Sequence, residues 1–184
     1  MKEKIHLFVD NSNVLHEGRR LSMTRKLRRP RRGSDLDQAY EIDWGKFLHL
    51  VKEDDKRILA DDPYLYGSRP PPNDSVWERI RNDGYDVQVF DRNIRNKEKG
   101  VDMKLGLDVA ERLFTIEGGQ TIVIAGGDAD YLPVVATARE RAWKVEVWFW
   151  SNAATVLKNA ADRFYELDAQ LDYLRLGGGI VFPA

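Results

Sequence analysis

The sequence predicts an α/β fold in which a central, mainly parallel sheet carries helices on both faces. Short runs of β-branched and aromatic residues alternate with amphipathic stretches of about ten residues, the pattern of right-handed βαβ units. The run Gln120–Ala125 (QTIVIA) is apolar without alternation, as expected of a strand buried on both faces. The 184 residues, 42% of them hydrophobic, are enough for one domain with a sizeable core.

Taken in order, Ile5–Asp10 (IHLFVD) reads as the first strand, and Asp43–Lys52 as a helix with Asp43 as its N-cap. Arg57–Gly67 is apolar but interrupted by Asp61-Asp62-Pro63, which predicts an irregular second strand. The tripled proline at 70–72 ends it, because proline cannot donate to a ladder. Asn73 or Asp74 can cap a helix reaching about Asn82, and Gly84 closes it. Tyr85–Asp91 alternates as a third strand. Val101, Leu105, Val109 and Leu113 recur every four residues, which makes 101–114 a helix. After the apolar fourth strand come a helix over 130–141, a strand over 144–150 and a helix over 153–161. No internal repeat is present. Residues 1–175 read as a single domain, with 176–184 (LGGGIVFPA) as a tail whose apolar end suits packing on its own body or on a second copy, so a homodimer stays open.

Composition excludes several chemistries. The absence of cysteine removes disulfides, a thiolate zinc site and a Cys nucleophile. The apolar run before Asp10 is too short for a signal peptide, and no stretch approaches the roughly 18 apolar residues of a membrane span. The expectation is a soluble protein of the cytoplasm with no membrane partner. The net charge of −1 hides an asymmetry: residues 19–32 (RRLSMTRKLRRPRR) carry +8 and the rest of the chain −9.

Three aspartate motifs fall where such a fold places ligands, beyond the carboxyl ends of parallel strands. Asp10 ends the first strand in FVDNSN, Asp128 and Asp130 follow the fourth in GGDADY, and Asp102 opens the third predicted helix in KGVDMK. If the first and fourth strands are neighbours, Asp10 and Asp128 converge, and Asp102 can reach them from its helix start. Clustered carboxylates repel and need a cation or shared protons. Oxygen donors without nearby His or Cys favour Mg²⁺ or Mn²⁺ over zinc. An ion of that kind can activate water and offset charge building on a phosphate. Asn11 and Asn13 can orient a water or phosphate without adding charge. A lone Asp at a strand end more often caps a helix; the conjunction of three is what points to function. The Gly126-Gly127 pair does not indicate a dinucleotide site, because it lacks the GxGxxG spacing and two aspartates follow it.

Together FVDNSN, KEKGVDMKLGLD, IAGGDADYLPVV and SNAATVLKNAADRFYELD resemble the NYN domain of the LabA-like group, within the PIN-like nucleases, over roughly residues 5–168. The resemblance implies a Rossmann-like sheet of order 3-2-1-4-5 and a metal-dependent ribonuclease, with endonucleolytic cutting favoured and RNA as the partner. Whether single-stranded DNA is also cut stays open. By position, Asp10, Asp102 and Asp128 would be the acidic core holding Mg²⁺ or Mn²⁺, with Asp130 a further ligand or helper. Asn13 matches the Asn three residues after the first Asp. Asp108 also matches the pattern, but at six residues from Asp102 it points about 120° away, so it ranks second.

The basic stretch reads as an arm inserted at about 18–40, between the first strand and the first helix. Its Arg19, Arg20, Arg25, Lys26, Arg28, Arg29, Arg31 and Arg32 suit phosphate pairing, as a clamp on RNA. The competing readings are a solvated loop or an arm folded onto the protein's own acidic surface. Ser151 ends the fifth strand on the same edge and either contacts substrate or caps the next helix. His16 lies near the Asp10 loop. Most of the five tryptophans are expected in the core. Two other functions remain: a non-catalytic RNA-binding or regulatory module, and a different metal-dependent phosphohydrolase. An intact acidic set favours an enzyme, and a basic stretch favours a polymeric phosphate.

Overall fold

A computed structural model describes residues 2–28, 35–53, 55–69, 74–91 and 99–178. The chain opens with strand β1 (Glu3–Asp10), and helix α1 (Asn11–Leu27) follows without a break. Then come α2 (Trp44–Val51), β2 (Arg57–Leu59), β3 (Tyr64–Arg69), α3 (Ser75–Asn82), β4 (Asp86–Asp91) and α4 (Lys99–Thr115). The second half holds β5 (Thr121–Ala125), α5 (Leu132–Glu140), β6 (Lys144–Phe149), α6 (Thr155–Ala160) and β7 (Arg163–Glu166).

Every ladder in the sheet is parallel, and the strands run β4-β3-β1-β5-β6-β7 with β2 also on β1. The five expected strands keep the order 3-2-1-4-5, with two differences. The second strand is split, β2 pairing with Glu3–Ile5 and β3 with Phe8–Asp10. Asp61 sits in the break because its carboxylate is used there: Oδ1 lies 3.0 Å from His6 Nδ1 and Oδ2 lies 2.6 Å from Arg112 Nε. Burial by itself would raise the Asp61 carboxyl, but His6 and Arg112 hold it below the ordinary aspartate range. The second difference is an extra edge strand, β7, on β6. It is only four residues long and none is fully buried, so it carries little apolar signal.

Side chains of β1 divide the core. Ile5, Leu7 and Val9 face one layer with Val14, Phe47, Trp148 and Trp150, while Phe8 joins Leu105, Val109, Ile124, Val135 and Leu157 on the other. Both faces of the central strands are covered, which is why these strands are mostly apolar, with His6 and Glu146 as buried polar residues of β1 and β6 that hydrogen-bond within the core.

Helix α1 corrects the expectation of an inserted arm beginning near residue 18. Asp10 caps it, its Oδ1 accepting from Asn13 N at 3.0 Å. Its buried positions are Asn11, Val14, Glu17, Gly18 and Ser22, mostly polar, so the helical period was invisible to a hydrophobicity pattern. Gly18 is needed for close approach: a methyl there would lie 2.9 Å from both Trp150 and Tyr40 ring atoms. Trp150 Nε1 donates to Val14 O at 2.8 Å across the same contact. Arg28, at φ 48°, ends the helix; Arg29, Arg31 and Arg32 lie outside the described residues. The last described residues, Leu176–Gly178, pack on the chain itself, with Leu176 N donating to Glu41 O and Lys46 Nζ to Gly178 O, both at 2.9 Å. Among the described residues no helix is long and apolar enough to cross a membrane.

Candidate active site

Because β1 and β5 are neighbours, their carboxyl ends deliver Asp10 and the Gly126–Asp128 segment to one place. Asn13 fastens the two: its backbone N–H donates to Asp10 Oδ1, and its side-chain Oδ1 accepts from Gly127 N at 2.8 Å. Asp128 caps the short 3-10 turn Ala129–Tyr131 that follows, its Oδ1 accepting from Asp130 N at 3.2 Å. That turn aims Tyr131 inward, where the ring is buried.

Tyr131 Oη lies 2.7 Å from Asp10 Oδ2 and 3.0 Å from Asp102 Oδ1, the latter in the first turn of α4. A phenol has one proton to donate, so it can satisfy one of these two oxygens. The other contact brings two lone-pair oxygens together, which is favourable only with a further proton or a cation. Burial first, then the charges of Asp10 and Asp102, push the Tyr131 hydroxyl far above its ordinary range, so the phenol stays neutral.

A cavity of about 500 Å³ opens over this junction. Asp10, Asp102 and Asp128 line it together with Asn11, Asn13, His16 and Arg19. Its far wall is formed by Trp44, Ser68, Val76 and Trp77, with the Glu41–Arg79 ion pair (3.0 Å) beside them. Asp10 is nearly buried, at 4% exposure, whereas Asp128 stands in solvent. Among the described residues, no three acidic or histidine groups are gathered closely enough to enclose a metal ion by themselves.

Two neighbouring parallel strand ends, β1 and β5, and the start of helix α4 together carry an Asp-rich rim, and that is the arrangement to set beside known proteins. Residues 4–168 match the NYN domain family. The chain belongs to that family. NYN domains share the PIN-like nuclease fold, and the mostly parallel sheet here is of that class. A solved structure from Vibrio parahaemolyticus RIMD 2210633, a protein of unknown function, is similar with a TM-score of 0.68. The two are 19% identical, and the alignment covers 95% of this chain and 97% of the other, a likeness of fold. No curated protein matches significantly.

The other residues singled out in this NYN chain fall elsewhere. Asp130 is exposed on the turn and is not part of the cavity wall. Asp108 is buried about two and a half turns along α4, where it accepts from Tyr66 Oη at 2.7 Å and pairs with Lys104. Ser151 is held by Asp168, whose carboxylate accepts from Ser151 N at 2.8 Å and Oγ at 2.7 Å, and it too is absent from the wall.

The described basic residues are largely engaged by the protein itself. Arg20 pairs with Glu17 at 2.9 Å, Arg25 with Asp172 at 3.6 Å and Lys26 with Asp37 at 2.7 Å. Arg19 lines the cavity while its Nε donates to Tyr40 O. The stretch is therefore, in its described part, a helix folded onto the acidic body. Sequence reasoning missed Tyr131, whose hydroxyl has no signal of its own, although it sits inside the motif GGDADY.

Proposed function

We propose that this NYN-family chain is a metal-dependent ribonuclease, of the LabA-like group its four motifs resemble, cutting RNA endonucleolytically to leave 5′-phosphate and 3′-hydroxyl ends. The observation that carries the reading is the meeting of Asp10 and Asp102 at one phenolic proton, on a cavity wall shared with Asp128. Two carboxylates converge on one hydroxyl there, and their donors are hard oxygens, which fits Mg²⁺ or Mn²⁺. Magnesium is commonly held by one or two carboxylates, with waters and substrate phosphate oxygens completing the shell. A site without three enclosing side chains is compatible with that habit. Asp10 and Asp102 would hold the ion directly, and Asp128, on the same cavity wall, would act on it through a bound water.

Bound there, a divalent ion would lower the pKa of an attacking water and offset charge on the phosphodiester. The chain's own residues have separate tasks. Tyr131 fixes the angle between Asp10 and Asp102. Asn13 locks the β5 end against α1, which keeps Asp128 over the same cavity. Asp130 donates its backbone N–H to Asp128 and stands by as a solvent-facing base. Arg19 supplies positive charge at the cavity for a phosphate.

The test is cleavage of labelled single-stranded and structured RNAs in Mn²⁺, Mg²⁺ or EDTA, with wild type beside Asp10→Asn and Asp128→Asn. Metal-dependent cutting that falls at least about a hundredfold in both variants supports the assignment. Equal activity in all three proteins would mean a contaminating nuclease. Salt-sensitive RNA binding without cutting would instead make the chain a regulatory module.

A further inference from the structure

The outer face of α4 is apolar where a surface helix should be polar. Met103, Leu107 and Phe114 are 66%, 61% and 63% exposed. At about 100° per residue they fall within about 40° of one another, directly opposite the buried stripe of Val101, Leu105 and Val109. Ala110 continues the row between Leu107 and Phe114, giving the four-three-four spacing of a helix-pairing seam. Phe114 has the Arg141 guanidinium 4.1 Å from its ring centroid, yet most of the ring still faces water. Single exposed apolar residues need no explanation; a row of them along one helix does.

The charges beside this row say what fits it. On one flank stand Lys104, towards the N-terminus, and Glu111, two turns later. Their order opposes the helix macrodipole, which favours acidic groups at the N-terminal end and basic groups at the C-terminal end. Lys104 also pairs with Asp108 within its own helix. Against a second α4 running antiparallel, the order becomes favourable: each Lys104 approaches the partner's Glu111, near the negative end of the partner helix. The apolar row has the same symmetry. Met103 with Phe114, and Leu107 with Ala110, are placed equally about the middle of the helix near Asp108–Val109. A two-fold axis there would set Met103 on the other copy's Phe114 and Leu107 on its Ala110.

We infer that two copies of this chain associate through an antiparallel pairing of their α4 helices, with Met103, Leu107, Ala110 and Phe114 as the shared seam. The inference does not depend on the proposed nuclease activity. Asp102 lies in the first turn of α4, so the pairing would hold the two candidate sites at opposite ends of the seam, both facing outward.

Sedimentation velocity of the full chain, from about 1 to 100 μM, tests this. Wild type is expected to move towards twice the 21.2 kDa of one chain as concentration rises. Leu107→Glu, at an exposed position, should keep its thermal midpoint and far-UV circular dichroism while weakening self-association by at least about thirtyfold. Glu111→Lys should weaken it several-fold, and the exchange of both charges (K104E with E111K) should restore it. A wild type that stays monomeric throughout overturns the inference. So does a dimer that Leu107→Glu leaves intact, or one that the double exchange fails to restore.

Discussion

Tyr131 donates its phenolic proton to Asp10 at 2.7 Å while lying 3.0 Å from Asp102, so one buried hydroxyl joins the end of β1 to the start of α4. The arrangement brings two carboxyl groups to one hydroxyl beside the cavity. One phenolic proton serves only one of the two contacts, and a bound cation would relieve the other.

Asp10→Asn should therefore raise stability while lowering activity. The introduced amide can keep the α1 cap by accepting from Asn13 N and can donate its N–H₂ to Tyr131 Oη, freeing the phenol proton for Asp102. Each of the three contacts Asn13–residue 10, residue 10–Tyr131 and Tyr131–Asp102 then pairs a donor with an acceptor. Denaturant unfolding in EDTA should show a gain of about 1 kcal/mol, and RNA cleavage should fall sharply. Asp10→Ala separates the two effects, because it also loses the cap and should cost about 1–2 kcal/mol.

Tyr131→Phe removes the only proton that the junction receives from this turn, without changing the shape of the packed ring. In EDTA it should cost about 1–3 kcal/mol, as expected for a buried carboxylate that loses a donor. Added Mg²⁺ or Mn²⁺ should recover a larger share of the thermal midpoint in this variant than in wild type, since the ion would take over from the lost hydroxyl between the two carboxyls. Thermal melts across a metal titration read this directly, and equal recovery in the two proteins would count against a cation at Asp10 and Asp102.

The Gly126-Gly127 pair has a packing role. A methyl on Gly127 would sit 2.1 Å from Phe149 Cδ1, and one on Gly126 2.7 Å from Tyr131 Cε2. Gly127→Ala must push the strand end away from Phe149 and stretch the bond between Gly127 N and Asn13 Oδ1. A loss of about 1–3 kcal/mol is expected, as for other overpacked cores. Because Asp128 is the next residue, cleavage should drop even at temperatures where the variant remains folded, as circular dichroism would verify.

How much of this was legible in the sequence follows from where apolar residues lie. Strands β1, β5 and β6 and helix α4 announce themselves by runs or by a four-residue period, and their order follows from the family resemblance. Helix α1 did not, because Asn11, Glu17 and Ser22 occupy the buried face where an apolar stripe is sought. Eight basic residues over 19–32 then looked like an arm, although the Arg25 and Lys26 partners Asp172 and Asp37 lie far along the chain or after an undescribed segment. The break between β2 and β3 was visible at Asp61, but its purpose required His6 and Arg112 in three dimensions. At the candidate site the three aspartates were readable from strand ends and motif spacing. Tyr131 was not, since an aromatic residue in a turn reads first as core.

Asp37 gives a pH dependence with a definite sign. Its Oδ2 accepts from Ser22 Oγ at 2.5 Å and from Lys26 Nζ at 2.7 Å, with Arg175 at 3.6 Å, and the residue is buried. Burial alone would raise its carboxyl, but the Lys26 and Ser22 hydrogen bonds and the charges of Lys26 and Arg175 carry it below the ordinary aspartate value of 3.8. A group depressed in the folded state stabilises the fold above its unfolded pKa and loses that contribution as pH falls through the folded one. Asp37→Asn should thus cost about 1–3 kcal/mol at pH 7, where the charged form anchors the basic half of α1 to the C-terminal segment. As pH falls below about 4 that contribution shrinks, and it is gone only once pH has passed the depressed folded pKa, so the gap between the two proteins should narrow towards low pH. Urea denaturation at pH 7 and pH 3 measures both limbs. A gap between the proteins that stays constant across that range would show that Asp37 acts through shape and not through charge.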